Sequence, residues 1–119
     1  LEPLAIGLET ALPAIEFMPG TEDLYFTSVP ALEALHAFIE VNPTVSVAII
    51  GHEEEGTTEQ HRTSRNRARA VFEYLVSSGV NANRLSVEGR GSAQRLYPKP
   101  TTPEEAEANR RISIRVTNY

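Results

Sequence analysis

Residues 45–79 read VSVAIIGHEEEGTTEQHRTSRNRARAVFEYLVSSG, and they carry the clearest strand and helix patterns of the chain. Residues 45–50 are β-branched and almost wholly apolar, which predicts a short strand covered on both faces. Residues 51–59 are polar and predict a loop. A helix is then predicted from residue 60 or 63 to residue 78, because Gly79 is typical of residues that end a helix in the left-handed conformation.

Four arginines fall within eight consecutive positions of this helix. At about 100° per residue, Arg62, Arg65 and Arg69 cluster on one side of it. Arg67 points to nearly the opposite side. That side also carries the apolar residues that should meet the sheet, which are Ala70, Val71, Tyr74 and Leu75. A guanidinium is costly there unless an anion pairs with it, so Arg67 either reaches the rim or a structural carboxylate, or it binds a ligand.

The acidic loop over residues 51–56 follows the central strand. The carboxyl end of a strand in an open α/β sheet is a usual place for a ligand crevice. Glu54 and Arg67 together would suit a zwitterion, with Arg67 holding its carboxylate and Glu54 its ammonium. A solvated acidic turn is the other interpretation that the loop leaves open.

The chain before this segment predicts one further strand and one further helix. Residues 1–13 are apolar but interrupted by two prolines and a glycine, so they either add an edge strand or pack loosely over the core. Residues 14–17 predict a short extended segment. A helix is predicted from near residue 30 to the residue before Asn42-Pro43, with Thr27 or Ser28 as its cap.

The chain after Gly79 predicts two more strands. Residues 85–88 and 112–116 alternate apolar and polar side chains. Between them, Thr102-Pro103-Glu104-Glu105 has the pattern of a capping box and predicts a short helix to about residue 109.

Strands that alternate with helices predict an α/β (α+β) two-layer sandwich. Its one sheet should contain residues 15–17, 45–50, 85–88 and 112–116, with both long helices on one face. Of the alternating pairs Val47–Ile49 and Ala48–Ile50, one should contact the helices and the other should be less covered.

Composition excludes several classes of protein. The 119 residues are enough for one domain with a buried core, and a net charge of −5 argues against a general affinity for nucleic acid or anionic lipid. Without cysteine, neither a disulfide nor a zinc–thiolate site can form. No apolar run approaches the roughly 20 residues that span a bilayer. Because the chain begins at Leu1 rather than Met, we expect a mature or trimmed piece of a longer protein.

A set of motifs spread along the chain resembles one family. Gly51-His52 ends the central strand, an acidic loop with Gly56 follows, and Arg67-Ala68 precedes Val71, Tyr74 and Leu75. This is similar to the OmpA-like C-terminal domain family (OmpA/Pal/MotB type), whose pattern reads G-H-T-D, a short loop, then N-x-x-L-S-x-x-R-A-x-x-V-x-x-Y-L. The match continues with Gly79-Val80, Arg84-Leu85, Gly89, Gly91 and the strong signature Asn109-Arg110-Arg111-Ile112.

The resemblance begins near the start of the chain, where Phe17 with Gly20-Thr21 is similar to the family's F-x-x-G-[ST] opening. It covers roughly residues 14–117. It implies a single domain over residues 1–119, with residues 1–13 as an N-terminal extension. The implied fold is a βαβαββ sandwich with a mixed sheet of about four strands.

The resemblance also implies a function, which is non-covalent binding of peptidoglycan without catalysis. The usual ligand of the family is the diaminopimelate of the stem peptide, held by an aspartate and a helix arginine, and the arginine matches Arg67. The residues then expected at the ligand are Arg67, Glu54, Glu53, His52, Gly20 and Thr21, and those expected to give structural support are Asn109, Arg110 and Arg111. The expected partners are peptidoglycan and other envelope proteins, in the periplasm, with no cofactor, metal, nucleic acid or membrane contact.

The chain departs from the family pattern at the acidic loop. Glu53-Glu54 stand where the family has T-D, and the loop from there to Arg67 is shorter. Glutamate is one methylene longer than aspartate, so Glu54 reaches the same point across a shorter loop, or else the site is retuned. The alternative function is a degenerate OmpA-like domain that serves as a protein-interaction or structural module. A pocket that holds Glu54 close to Arg67 favours anchoring, whereas an internal salt bridge favours the alternative.

Other chemistries fit the residues less well. Ligand types that suit zinc occur at His52, Glu53, Glu55 and His61, but without the helical H-E-x-x-H spacing. Ser64 and Ser86 lack the glycine elbow of a nucleophile. The arginine run lacks interleaved aromatic residues, so a solvated helix face explains it better than an RNA surface.

Overall fold

The computed structural model of the chain describes residues 7, 9–12, 14–18, 23–52, 58–91, 99, 101–109 and 111–118. Its regular elements, in chain order, are β1 (Glu9–Ala11), α1 (Val29–Val41), β2 (Ser46–His52), α2 (Thr58–Ser77), β3 (Leu85–Gly91), α3 (Pro103–Asn109) and β4 (Arg111–Asn118). None of the described helices is long and apolar enough to cross a membrane.

The strands form one sheet in the order β1-β4-β2-β3. β2 and β3 are parallel, whereas β4 runs antiparallel to both β1 and β2. The buried side chains of α1 and α2 form one apolar cluster with residues of β2 and β4. The predicted two-layer sandwich, with a mixed sheet and both long helices on one face, is therefore confirmed.

The central strand β2 is buried on both faces. Val47 and Ile49 belong to the cluster beneath the helices, yet Ala48 and Ile50 are also only 1% and 0% exposed. The prediction that the second pair would be less covered is wrong. On the face of Ala48 and Ile50, Arg115 of β4 and Glu88 of β3 form an ion pair, 3.0 Å apart. Since β2 lies between these two strands, the pair crosses over it.

The first strand of the sheet comes from residues 9–11 rather than from 15–17, so that prediction is also wrong. β1 pairs with the outer edge of β4. Of the two alternatives for the first thirteen residues, the one in which they add an edge strand is therefore the one that the structure has. The segment around Phe17 pairs locally instead, through an isolated bridge to Leu24. Flanking bonds from the amides of Met18 and Tyr25, both 2.9 Å long, close this short ladder. The backbone groups that a sheet strand would need are therefore already used.

The start of α1 is attached to the same segment through Ser28. This residue occupies the N-cap position, as predicted, but its hydroxyl makes no capping bond. It is fully buried, and its Oγ donates to the carbonyl of Glu16 at 2.8 Å and accepts from the Glu16 amide at 2.6 Å. The position of residues 16–18 is thus tied to the first turn of α1.

The predicted end of α2 is confirmed, and one of the two bonds of the capping box predicted at the start of α3 is present. Gly79 has a φ of 107° after the last turn of α2, and the following amide bonds back to the carbonyl of Leu75 at 3.0 Å, which is the Schellman arrangement. At α3, Thr102 Oγ1 accepts from the Glu105 amide at 3.1 Å. The Glu105 carboxylate accepts from the amide of Thr101 rather than from that of the cap residue.

The end of α1 is held by Arg84, which lies just before β3. Its guanidinium donates to the carbonyls of Val45, Ile39 and Asn42 at 3.0, 2.8 and 2.6 Å. Charge-assisted bonds contribute about 1.5–3 kcal/mol each, although shared ones do not add. We expect Arg84→Ala to lower the free energy of unfolding by about 2–3 kcal/mol, as measured by urea denaturation. Arg69→Ala is the control, because Arg69 is exposed and pairs only weakly with Glu73. Equal midpoints for the two variants would contradict this role of Arg84.

Candidate functional site

The amino-terminal half of α2 lies directly on the carboxyl ends of β2 and β3. Two glycines make this possible, because a Cβ at Gly51 would overlap the carbonyl oxygen of Ser64, and one at Gly89 would lie 2.7 Å from the Cβ of Arg65. Ser64 is fully buried as a result. The close approach sets the height of the helix above the sheet, and with it the position of Arg67 one turn further on.

Arg67 differs from its three neighbouring arginines in its surroundings. Arg62, Arg65 and Arg69 are exposed, whereas Arg67 is half-buried, as the helical periodicity predicts. Its guanidinium carbon lies 5.0 Å from the centre of the Phe17 ring, and it makes at least one further interaction. Arg67 therefore lies at the margin of the apolar core, where an anion would meet a partly desolvated cation.

His52 lies on the opposite face of the sheet from Arg67. Position 51 faces Ser64 of α2, and the side chain of the next residue points the other way. The Nε2 atom of His52 lies 3.0 Å from Glu9 Oε2 and 3.2 Å from Ser113 Oγ. The structure thus does not bring His52 to Arg67, and a ligand role for His52 stays a prediction without support from this geometry.

A buried polar cluster surrounds His52 instead. Ser113 Oγ donates to Glu9 Oε2 at 2.8 Å, and Arg111 Nη2 lies 3.9 Å from the same oxygen. Among the described residues, His52 Nδ1 has no hydrogen-bond partner. Burial lowers the pKa of His52, the charges of Arg111 and Arg90 lower it further, and Glu9 opposes them. The cluster ties β1 to β4 and to the end of β2.

Glu9 in this cluster is held as a carboxylate. Burial raises its pKa, but the bond from Ser113 and the interactions with His52 and Arg111 together lower it below the ordinary value of 4.5. The sequence pattern does not predict this cluster, because Glu9 reaches His52 and Ser113 only after β1 has paired with β4. The available signal was Ser113, a polar residue placed between two buried isoleucines.

These shifts predict a loss of stability in mild acid. Because folding lowers the pKa of His52, the unfolded chain binds its proton first as the pH falls below 6.5, and the unfolding free energy decreases. The carboxylate of Glu9 adds stability that is present above pH 4.5 and is lost at lower pH.

The histidine contribution can be isolated with His52→Gln, which keeps a donor but does not titrate. We expect the unfolding free energy of the wild type to fall more steeply than that of the variant between pH 7 and pH 5, in urea denaturation at each pH. Parallel pH profiles for the two proteins would contradict the assignment.

Two residues of the C-terminal signature make contacts of the kind expected for structural support. Asn109 is fully buried, and its carbonyl accepts from Arg111 Nη1 at 3.5 Å. Arg111 also approaches Glu9 and is only 8% exposed. Their supporting role stays a prediction, and Arg110 lies outside the described residues.

Several other predicted site residues also lie outside the described part of the chain. These are Glu53, Glu54, Gly20 and Thr21, together with Glu55 of the zinc alternative. Within the described residues, no group of three or more histidines and carboxylates could hold a metal ion.

Comparison with known proteins agrees with the resemblance found in the sequence. A sequence model of the OmpA family matches residues 16–110. Outer membrane protein A of Klebsiella aerogenes is 29% identical over 84 residues, which are 62% of this chain and 24% of that protein. Outer membrane protein A of Bordetella avium is 32% identical over 73 residues, which are 60% of this chain and 37% of that protein. The chain thus matches less than half the length of these relatives.

Solved structures share the fold at low sequence identity. The periplasmic domain of Helicobacter pylori MotB superimposes with a TM-score of 0.78 at 21% identity, covering 93% of this chain and 81% of that one. The peptidoglycan-associated lipoprotein of Burkholderia pseudomallei gives 0.76 at 19%, covering 86% and 87%. The cell wall anchor of the T6SS from Pseudomonas aeruginosa gives 0.76 at 19%, covering 93% and 80%.

Proposed function

We propose that this chain, which belongs to the OmpA family, binds peptidoglycan non-covalently and anchors an envelope protein to the cell wall. The observation that carries the proposal is Arg67, a half-buried guanidinium at the margin of the apolar core, over the ring of Phe17. The names of two similar structures, a peptidoglycan-associated lipoprotein and a cell wall anchor, support the same function. The compartment is the periplasm.

The ligand is the diaminopimelate of a stem peptide. Arg67 donates two parallel hydrogen bonds to one of its carboxylates, a geometry that suits the planar fork of a guanidinium. Glu54, or else Glu53, accepts the neighbouring ammonium. Gly20 and Thr21, which follow Phe17 closely in the chain, provide further contacts. Both halves of a zwitterion are thereby paired, so neither charge is left buried alone.

No reaction is part of this function. The domain holds its ligand by charge and hydrogen bonds, without a nucleophile, cofactor or metal. Peptidoglycan is a single very large molecule, so many weak domain–peptide contacts are enough to retain a protein at the wall.

Co-sedimentation with isolated sacculi tests the proposal. We expect the domain to pellet with sacculi that contain diaminopimelate, and free diaminopimelate to release it. Cadaverine is the matched control competitor, because it keeps both ammoniums of diaminopimelate on the same carbon chain but has no carboxylate for Arg67, and it should release much less protein. A domain that stays in the supernatant would favour the alternative function, a protein-interaction module of an envelope complex.

A further inference from the structure

The ring beneath Arg67 belongs to a different part of the fold from Arg67 itself. Phe17 precedes α1 in the chain, and it is a partly buried residue that packs against the core cluster. The guanidinium carbon of Arg67 lies 5.0 Å from the ring centre, which is within the roughly 6 Å range of a cation–π interaction. The contact therefore joins the segment before α1 to the middle of α2.

Phe17 has a well-defined place because its backbone is fixed on both sides. It bridges Leu24 across a short antiparallel ladder, and the next amide, that of Met18, donates to Asp23 at 2.9 Å. On the other side, Ser28 both donates to and accepts from Glu16. The ring is thus positioned by α1, whereas Arg67 is positioned by the close contact of α2 with Gly51.

This arrangement favours binding of a planar anion. A free arginine side chain loses rotational freedom when it binds a ligand, and that loss weakens binding. An aromatic ring attracts the cation without using its N–H groups, which point outward in the guanidinium plane. A ring that holds Arg67 in place lowers the entropic cost of binding, and the ring contact itself uses none of the N–H donors.

We infer that Phe17 is a positioning residue for Arg67, holding the guanidinium in the orientation that a stem-peptide carboxylate requires. The inference rests on the proposed function. It assigns a role in binding to Phe17, a residue of the segment before α1.

The chain provides a matched control on the same helix. Arg69 lies over Phe72 with 6.0 Å between its guanidinium carbon and the ring centre. Arg69 is exposed and also pairs with Glu73, and Phe72, like Phe17, packs partly against the core. Leucine at position 17 or at position 72 removes one aromatic ring from the margin of the core. The ring of Phe17 lies under Arg67, whereas the ring of Phe72 lies under Arg69.

The experiment compares Phe17→Leu, Phe17→Tyr and Phe72→Leu in sacculus co-sedimentation, with thermal denaturation as a check on folding. We expect Phe17→Leu to bind on the order of fivefold to tenfold more weakly, and Phe17→Tyr and Phe72→Leu to bind like the wild type. The Arg67 side-chain NMR signals should also lose their ring-current shift in Phe17→Leu and keep it in Phe17→Tyr.

The outcomes separate the two proposals. If Arg67→Ala abolishes binding while Phe17→Leu binds like the wild type, the positioning role is wrong and the proposed function stands. If Phe17→Tyr binds as weakly as Phe17→Leu, the residue acts through packing alone and the inference fails. If the wild-type domain does not pellet with sacculi, both the proposed function and the positioning role of Phe17 fail.

Discussion

Replacing Arg67 by alanine should abolish co-sedimentation with sacculi. Removal of one partner from a desolvated, hydrogen-bonded charge pair costs about 2–5 kcal/mol, which corresponds to a loss of affinity of roughly thirtyfold or more. The half-buried position of the guanidinium over Phe17 places the expected loss well above the small values found for exposed ion pairs. The measurement is the fraction of protein pelleted across a range of sacculus concentrations.

Two further variants make this result specific to position 67. Arg65→Ala removes an exposed guanidinium from the same helix but keeps the Cβ that lies near Gly89, so it should bind like the wild type. Arg67→Lys should restore binding only poorly, because an ammonium cannot reproduce the two-pronged contact. Thermal denaturation must show that each variant is folded. A folded Arg67→Ala protein that still pellets with sacculi would overturn the proposed site.

Alanine at Gly51 should produce the largest loss of stability. The added Cβ would overlap the carbonyl oxygen of Ser64, which is backbone and cannot rotate away. Overpacking typically costs about 1–3 kcal/mol, and values above that range occur where the backbone must move. We therefore expect Gly51→Ala to lower the free energy of unfolding by about 3–5 kcal/mol, as measured by urea denaturation.

Gly79→Ala is the control for Gly51→Ala. A Cβ at Gly79 would meet no atom of the described residues within 4 Å, but the residue has a φ of 107°, so the expected cost is only the conformational one of about 1–2 kcal/mol. Gly51→Ala should also weaken sacculus binding, because α2 carries Arg67 and must shift. The steric account of Gly51 fails if the two variants unfold at the same urea concentration.

Local features of the fold and the site were predictable from the sequence because they depend on residues close together in the chain. The helical repeat alone separates Arg67 from Arg62, Arg65 and Arg69. The end of α2 at Gly79 follows from the conformational freedom of glycine. Residues 45–50 predict a strand covered on both faces, and the structure buries both faces of β2.

The features that the sequence did not predict join residues far apart in the chain. Glu9 reaches His52 and Ser113 only after β1 has paired with β4. The place of Phe17 under Arg67 depends on α1 and α2 packing on the same face.

Hydrophobic periodicity and helix-ending residues act locally, so they are enough to predict the helices, the three long strands and the side of α2 on which Arg67 lies. The choice of edge strand, the burial of Ile50 and the face that His52 occupies depend on contacts between residues far apart in the chain. In each case the contact is a cross-strand one, such as the ion pair between Arg115 and Glu88. The free energy of such a contact depends on strand order and register, which no short window of sequence contains.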